Sequence, residues 1–378
     1  MNFEDDLIMI PGPVPVTPRI LRTMSKPMIS HRGPEFSNLY RGIQEKLTDI
    51  LKTKNDIFIL SGSGTCAMEA AIGNVIDECD SVVTVVNGKF GDRLKLIGNR
   101  YGKTIPVEYD WGASIDLEDV ESALDRGAKA VAMVHNETST GILNPAKEVC
   151  KLAKRYDALF ILDCITSIGG IDVPIDDFGV DIAISGSQKC LGAPPGLSLI
   201  SVSERAFEAI CGKVPFYMDL REYKKSSKKG QTPYTPAISL FFALDESLCM
   251  IEEEGINNRI LRHEKLAKAM RAAIDALGLV MFPKLNRVSR YSNTVTAVNM
   301  PGGITDKQLK EGMRSHGIII AGGQGHLKEK IFRIGTMGNI TGGDLLRTIS
   351  AIETVLSENK VIGKPGSGVE AANEILNI

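Results

Sequence analysis

The chain reads as an α/β protein: a large domain with a mostly parallel sheet flanked by helices, followed by a smaller C-terminal α+β domain. Three observations predict this. Apolar runs such as DIFIL, SVVTVV and ALFILD alternate with helical patterns of about a dozen residues, as in βαβ units. Those runs are continuously apolar, as strands buried on both faces are. From Ile238 to Gly278 the pattern becomes one long helical stretch, bent or broken at Gly255, and such a stretch commonly joins two domains.

Element by element, Pro34 suits a first helical turn, and Phe36, Leu39, Tyr40, Ile43, Leu47, Ile50 and Leu51 recur at helical spacing, predicting a helix that ends near Lys54. A strand, DIFIL (56–60), runs into the turn SGSGT and a helix of small residues, CAMEAAIGNVI (66–76). Strand SVVTVVN (81–87), turn GKFG, helix DRLKLIGNRYG (92–102) and strand TIPVEY (104–109) follow. Asp116 begins a helix over 117–125, succeeded by strand AKAVAMVHNE (128–137) and helix PAKEVCKLAKRY (145–156). Strands ALFILD (158–163), DIAIS (181–185) and LSLISV (197–202) complete the large domain's sheet. Past the long helical stretch, strand-like TVTAVNM, GIIIA and IFRIG alternate with helices around DKQLKEGMRSHG and TGGDLLRTISAIETVLSE. The tail joins a Gly/Pro/Ser linker to a weakly amphipathic end.

Composition narrows the function classes. Hydrophobic residues make up 43% and charged residues 24%, ordinary values for a globular protein with a sizeable core. A net charge of −2 gives no electrostatic reason to expect nucleic acid or an anionic membrane as partner. The seven cysteines are odd in number, scattered and without a CxxC pair, which argues against a disulfide framework or a zinc site and fits a reducing cytosol. MNFEDDLIMIPGP has neither the basic nor the apolar region of a signal peptide, and no apolar segment approaches the ~20 residues of a membrane span. A cytoplasmic protein with no metal is expected.

The most informative residue is Lys189, in DIAISGSQKCLGAPPGLSLISV, an amine set between two apolar strands and a Gly/Pro-rich turn. Asp163 closes ALFILD, so a carboxylate and an amine both stand at strand ends, the edge at which open α/β sheets bind ligands. Pyridoxal phosphate chemistry needs such a pair: an acid to keep the pyridine nitrogen protonated and an amine to carry the aldehyde as a Schiff base.

Four further signals each have a plainer reading. SGSGT, Ser61 to Thr65, lies between a strand and a helix and offers backbone amides to a phosphate, with an ordinary glycine turn as the plainer reading. GSGTCA also satisfies the dinucleotide fingerprint GxGxxA, but the next strand ends in Asn87 and Gly88 rather than in the acid a ribose requires. Phe90, in NGKFG, offers a ring to stack on a flat cofactor, although a phenylalanine is more often core. HNETSTGILNP presents hydroxyls and an amide for a phenolic oxygen, or caps the following helix. Arg333, in IFRIGTMGN, suits a carboxylate bidentately, with a structural salt bridge as the plainer reading. KKSSKKG reads as a solvated loop.

Taken in order, PGPVPV, LSGSGTCAMEAA, NGKFGDR, HNETSTGIL, LDCITSIGG, SGSQKCLGAPPG, QTPYTPAISLFFAL and FRIGTMG resemble the class V aminotransferases of pyridoxal phosphate fold type I, nearest the alanine–glyoxylate and serine–pyruvate group. The similarity runs from about Ile10 to Leu356. It implies an N-terminal arm at the active site over 1–14, a large cofactor-binding domain over 15–254 and a small domain over 255–378. Lys189 would carry the cofactor and Asp163 pair with its ring nitrogen. Ser63, Gly64 and Thr65 would bind phosphate, Phe90 stack on the ring, Thr138 contact the phenolic oxygen and Gln188 assist beside the lysine. Arg333 would grip the substrate carboxylate, with Gly12 of the arm beside it. Gln231, Tyr234 and Thr235 would reach the phosphate of a neighbouring subunit, which implies a homodimer with shared sites.

The activity so implied moves an amino group between a small amino acid (alanine or serine, with aspartate or phosphoserine still open) and a 2-oxo acid such as glyoxylate or pyruvate. Thr65 stands where some relatives have histidine, and Phe90 where many have tryptophan. His31 and Arg32, in ISHRGPEF, could bind a second anionic group or form a turn with surface charge. Two alternatives remain: a lyase or cysteine desulfurase on the same fold, and a nicotinamide-dependent oxidoreductase resting on GSGTCA.

Overall fold

The computed structural model describes residues 6–377. The first five residues of the expected arm, and Ile378 at the end of the expected small domain, lie outside them. Seven strands form the main sheet: β1 (Asp56–Ser61), β2 (Ser81–Val86), β3 (Lys103–Glu108), β4 (Ala130–Val134), β5 (Leu159–Asp163), β6 (Ile182–Gly186) and β7 (Leu197–Val202). Their spatial order is β1-β7-β6-β5-β4-β2-β3, and β7 alone runs antiparallel to its neighbours β6 and β1. The remaining pairs are parallel, as the continuously apolar runs predict.

Successive strand side chains point to opposite faces, so each run feeds two cores. Ile57, Ile59, Val83, Val85, Val131, Met133, Phe160 and Leu162 face one side, packed with helices Pro34–Leu51, Ala146–Arg155 and Ile238–Glu254. Phe58, Leu60, Val82, Ala132, Ile161 and Ile184 face the other, under helices Gly64–Val75 and Lys89–Tyr101. A third core joins a three-stranded antiparallel sheet (Val295–Asn299, Ile331–Gly335, Ala321–Gly322) to helices Asp306–Ser315 and Gly342–Glu358 and to the second half of Ile256–Ala276. Capping boxes at Thr305/Gln308 and Thr341/Asp344 start two of these helices. The tail helix, Ser367–Leu376, packs on Ile256–Ala276.

Several elements differ from the expectation. Phe90 lies in the first turn of helix Lys89–Tyr101 rather than in a preceding turn. Apolar AKAVAMVHNE does not form one strand: β4 ends at Val134, and Asn136–Glu137 turns off to pair with Ile142–Leu143, a pairing no local pattern announces. The basic run is partly helical, because Lys224 in helix Leu220–Ser227 is held by Asp56 and Glu204 and lies 4.0 Å above the Phe207 ring. The arm is tied down by its own small strand, Leu7–Ile8 pairing in parallel with Ile318–Ile319, while Met9 enters the third core.

Candidate active site

A cavity of about 240 Å³ opens where β1, β2, β4, β5 and β6 end, and each strand delivers residues to it from the segment that follows. Ser63, Gly64 and Thr65 follow β1; Phe90 and Arg93 follow β2; Asn136 and Thr138 follow β4; Asp163 closes β5; Gln188 and Lys189 follow β6. Parallel pairing sets Asp163 beside Ile184 of β6, so the two strands that carry acid and amine are neighbours.

The Lys189 Nζ donates to the Pro11 carbonyl of the arm, and burial pushes its amine down to about 8. Asp163 is 3% exposed. Its Oδ1 accepts the Ile165 N–H at 2.9 Å, which favours the anion, yet burial prevails and pushes the carboxyl up to about 7. No other hydrogen bond reaches that carboxylate among the described residues. A cation placed beside a buried acid in this condition would draw it back to the anion.

Ser63 occupies the N-cap of helix Gly64–Val75 without a side-chain cap bond, leaving the first amides open for an anion. Arg93 adds a positive charge there: its Nη1 donates to Thr65 Oγ1 at 3.0 Å, and its guanidinium lies 4.8 Å from the Phe90 ring centre. Phe90 in turn is positioned by Glu137. That buried carboxylate accepts the N–H groups of Phe90 (2.9 Å), Gly91 (3.0 Å) and Ser139 (3.1 Å), and also the Ser139 hydroxyl. Ser139 Oγ accepts the Lys89 N–H at 2.9 Å. Burial pushes the Glu137 carboxyl up, against these bonds. Gly88 is required here, since a Cβ would overlap the Glu137 side chain.

Arg333, 5% exposed, sits at the middle of its strand and does not line the cavity. Its Nε and Nη2 donate to the Gly322 carbonyl (2.9 and 2.8 Å) and its Nη1 to the Thr138 carbonyl (3.0 Å). The structural salt bridge weighed above does not form: no carboxylate pairs with it among the described residues, and burial pushes the guanidinium down to about 10. Gln188 lines the cavity with a buried, unpartnered Oε1. Gly12 has φ +90° and passes so near Lys189 that a Cβ would lie 2.5 Å from its Cδ.

Other expected residues fall elsewhere. Gln231, Tyr234 and Thr235 do not line this cavity; the Tyr234 hydroxyl donates to the Phe216 carbonyl at 2.9 Å, and Thr235 is exposed. Arg32 holds their loop, donating to Gln231 Oε1 (3.1 Å), the Thr232 carbonyl (2.7 Å) and the Pro233 carbonyl (2.9 Å). Those bonds occupy the guanidinium that a second anion would have used. The capping reading of HNETSTGILNP also fails, because helix Ala146–Arg155 starts at Pro145 with no side-chain cap. Asn144 instead bonds Asn87 and the Val134 carbonyl, which also removes Asn87 from any ribose role.

Sequence reasoning missed Arg93, Asn136, Glu137 and Arg259. Arg93 was signalled by standing one helical turn after Phe90, and Glu137 by being an acid just past the end of an apolar run. Arg259 gave no signal. Fully buried, it donates to the carbonyls of Gly169 (3.2 Å) and Cys190 (2.8 Å) and to Asn339 Oδ1 (3.2 Å), fixing the residue after Lys189.

The family model described as Aminotransferase class-V matches residues 21–336. An uncharacterized aminotransferase of Methanocaldococcus jannaschii is 46% identical, covering 98% of this chain and 97% of that one. A protein named as the small subunit of a soluble hydrogenase, from a Synechococcus species, is 40% identical over 98% of each chain. The crystal structure of ureidoglycine–glyoxylate aminotransferase from Bacillus subtilis superposes with a TM-score of 0.92 at 33% identity, covering 99% of this chain and 98% of that one.

Proposed function

This chain belongs to the class V aminotransferases, and we propose that it is a pyridoxal-phosphate-dependent, cytoplasmic homodimer that transfers the amino group of a small amino acid to glyoxylate or pyruvate. One observation carries the reading: a desolvated amine, Lys189, and a desolvated acid, Asp163, line one cavity from neighbouring parallel strands, beside an open helix N-terminus. When bound, pyridoxal phosphate supplies an aldehyde for an amine and a ring that accepts electrons from the substrate α-carbon.

The chain's own residues do the rest. Asp163 would hold the proton on the ring nitrogen, its carboxyl drawn back to the anion by the charge it then faces. Ser63, Gly64 and Thr65 would hold the phosphate, with Arg93 adding charge, and Phe90 would stack on the ring. The Thr138 hydroxyl would meet the phenolic oxygen, and Gln188 would assist beside Lys189. Lys189, its pKa lowered to about 8 so that far more of it is unprotonated near neutrality than of an ordinary lysine, would move the proton from the substrate α-carbon to the carbon that carried the cofactor's aldehyde. Arg333 would orient the substrate carboxylate only by leaving the Gly322 and Thr138 carbonyls that now hold its guanidinium, with the arm at Gly12 beside Lys189.

Glyoxylate as acceptor is supported by the Bacillus relative and by others named for aspartate, serine and alanine with glyoxylate. The homodimer reading, with Gln231, Tyr234 and Thr235 serving the partner's phosphate, is supported by an aromatic cluster beside that loop: Phe216, 80% exposed, contacts Tyr234 at 5.3 Å. A transaminase is favoured over a desulfurase because no cysteine lines the cavity among the described residues.

A half-reaction screen tests this. Each amino acid is mixed with purified protein and loss of the visible absorbance of the lysine-bound cofactor is followed; alanine, serine or aspartate should bleach it and glyoxylate restore it. Lys189→Ala should show neither the band nor turnover, and comparable turnover in that variant would refute the assignment.

A further inference from the structure

A second cavity lies behind the first. At about 640 Å³ it falls within the roughly 300–1,000 Å³ typical of small-molecule sites. One wall is the hairpin that carries Thr138, represented by His135, Leu143 and Asn144. Opposite stands one face of helix Ile256–Ala276, where Ile260, Glu264, Lys268 and Arg271 follow at helical spacing. The strand Arg290–Tyr291 closes it by pairing with Ile142–Leu143. Adjacent residues of an extended chain point to opposite sides, so His135 lines this cavity while Asn136 lines the catalytic one.

Two buried polar groups on its walls are left without partners. His135 is 5% exposed with Nδ1 unbonded, and Ser289 is 4% exposed with its hydroxyl unbonded. Such groups are rare in folded proteins, and since both atoms are closed off from the cavity a ligand would meet them only after they turn toward it. Arg271 is a third sign. Its Nη1 donates to the Ser292 carbonyl at 2.9 Å and its Nη2 reaches Asn293 Oδ1 at 3.4 Å, but no carboxylate pairs with it among the described residues. Of the acids that line the cavity, Glu264 pairs with Lys268 and Asp172 with Lys52, while Glu148 has no cation within salt-bridge distance among the described residues.

We propose that this cavity binds a small organic carboxylate, gripped by Arg271 and met by His135 and Ser289, and that its occupancy regulates the active site. The route is short and covalent for most of its length. The His135 N–H donates to the carbonyl of Asp163 at 2.9 Å, and its own carbonyl accepts the Asn144 N–H at 2.7 Å. A ligand that fixes His135 therefore fixes the backbone of the buried acid and the base of the hairpin bearing Thr138.

The test uses holoenzyme carrying Arg333→Gln, so that carboxylates lose their grip in the substrate pocket. Succinate, citrate and, separately, inorganic phosphate are titrated while the imidazole resonance of His135, one of five histidines, and the visible cofactor band are followed. The histidine readout stands even if the cofactor assignment fails. Succinate or citrate should shift the resonance saturably, and adding Arg271→Gln should weaken binding about tenfold or more, the loss of one charge-assisted contact. Arg271→Lys, which keeps the charge but not the fork, and Ser289→Ala should each weaken it if the glutamine variant fails to fold. No saturable shift with either carboxylate, a response to phosphate alone, or affinity indifferent to these substitutions overturns the proposal.

Discussion

Replacing Asp163 by asparagine should stabilise the apoprotein while destroying the enzyme. Burial raises this carboxyl from 3.8 to about 7. Below about pH 4 the group is protonated whether the chain is folded or not, and it imposes no penalty. As pH rises toward 7 the unfolded chain loses the proton that the folded chain retains, so stability falls; above 7 the penalty is complete. At 1.36 kcal/mol per unit, roughly three units amount to about 4 kcal/mol at pH 8 and about 1.5 kcal/mol at pH 5. Asparagine has the same shape, keeps an oxygen for the Ile165 N–H and carries no charge to desolvate. Urea unfolding of both apoproteins can be followed by fluorescence of Trp111, the single tryptophan, whose ring lies 4.5 Å from that of His326. The variant should gain most at the higher pH, and its affinity for the cofactor should collapse because the ring cation has lost its counter-ion. A stability difference independent of pH, or an asparagine variant less stable at pH 8, would refute the desolvation argument.

Glu137→Gln should raise the cofactor dissociation constant about tenfold, measured by absorbance titration, because an amide NH2 then faces donors that the carboxylate had satisfied. An unchanged constant would show that Phe90 does not depend on it for position. Gly12→Ala sets a methyl 2.5 Å from Lys189 Cδ at φ +90°, so turnover should fall at least tenfold, on the scale of a ~1–3 kcal/mol strain, with the apoprotein still folded. Cofactor loading should quicken with pH up to about 8 and then level off, since the unprotonated Lys189 amine is the reactive form. A midpoint near that of an ordinary lysine would remove burial as the cause.

The sequence alone determined the sheet and which residues gather at its edge. Strand–turn–helix punctuation is local: an apolar run, then SGSGT or SGSQK, announces both an element's end and the groups displayed there, and the meeting of Asp163, Lys189 and the SGSGT turn at one cavity was therefore legible. Only the tertiary structure decided which of the remaining polar residues hold that edge in place. Glu137 acts on Phe90 across 47 positions, Arg259 on Cys190 across 69, the Pro11 carbonyl on Lys189 across 178, and Arg32 on Gln231 across 199. Their partners are chosen by the packing of segments remote in the chain, and a hydrogen-bond donor carries no local trace of the acceptor that folding will bring to it.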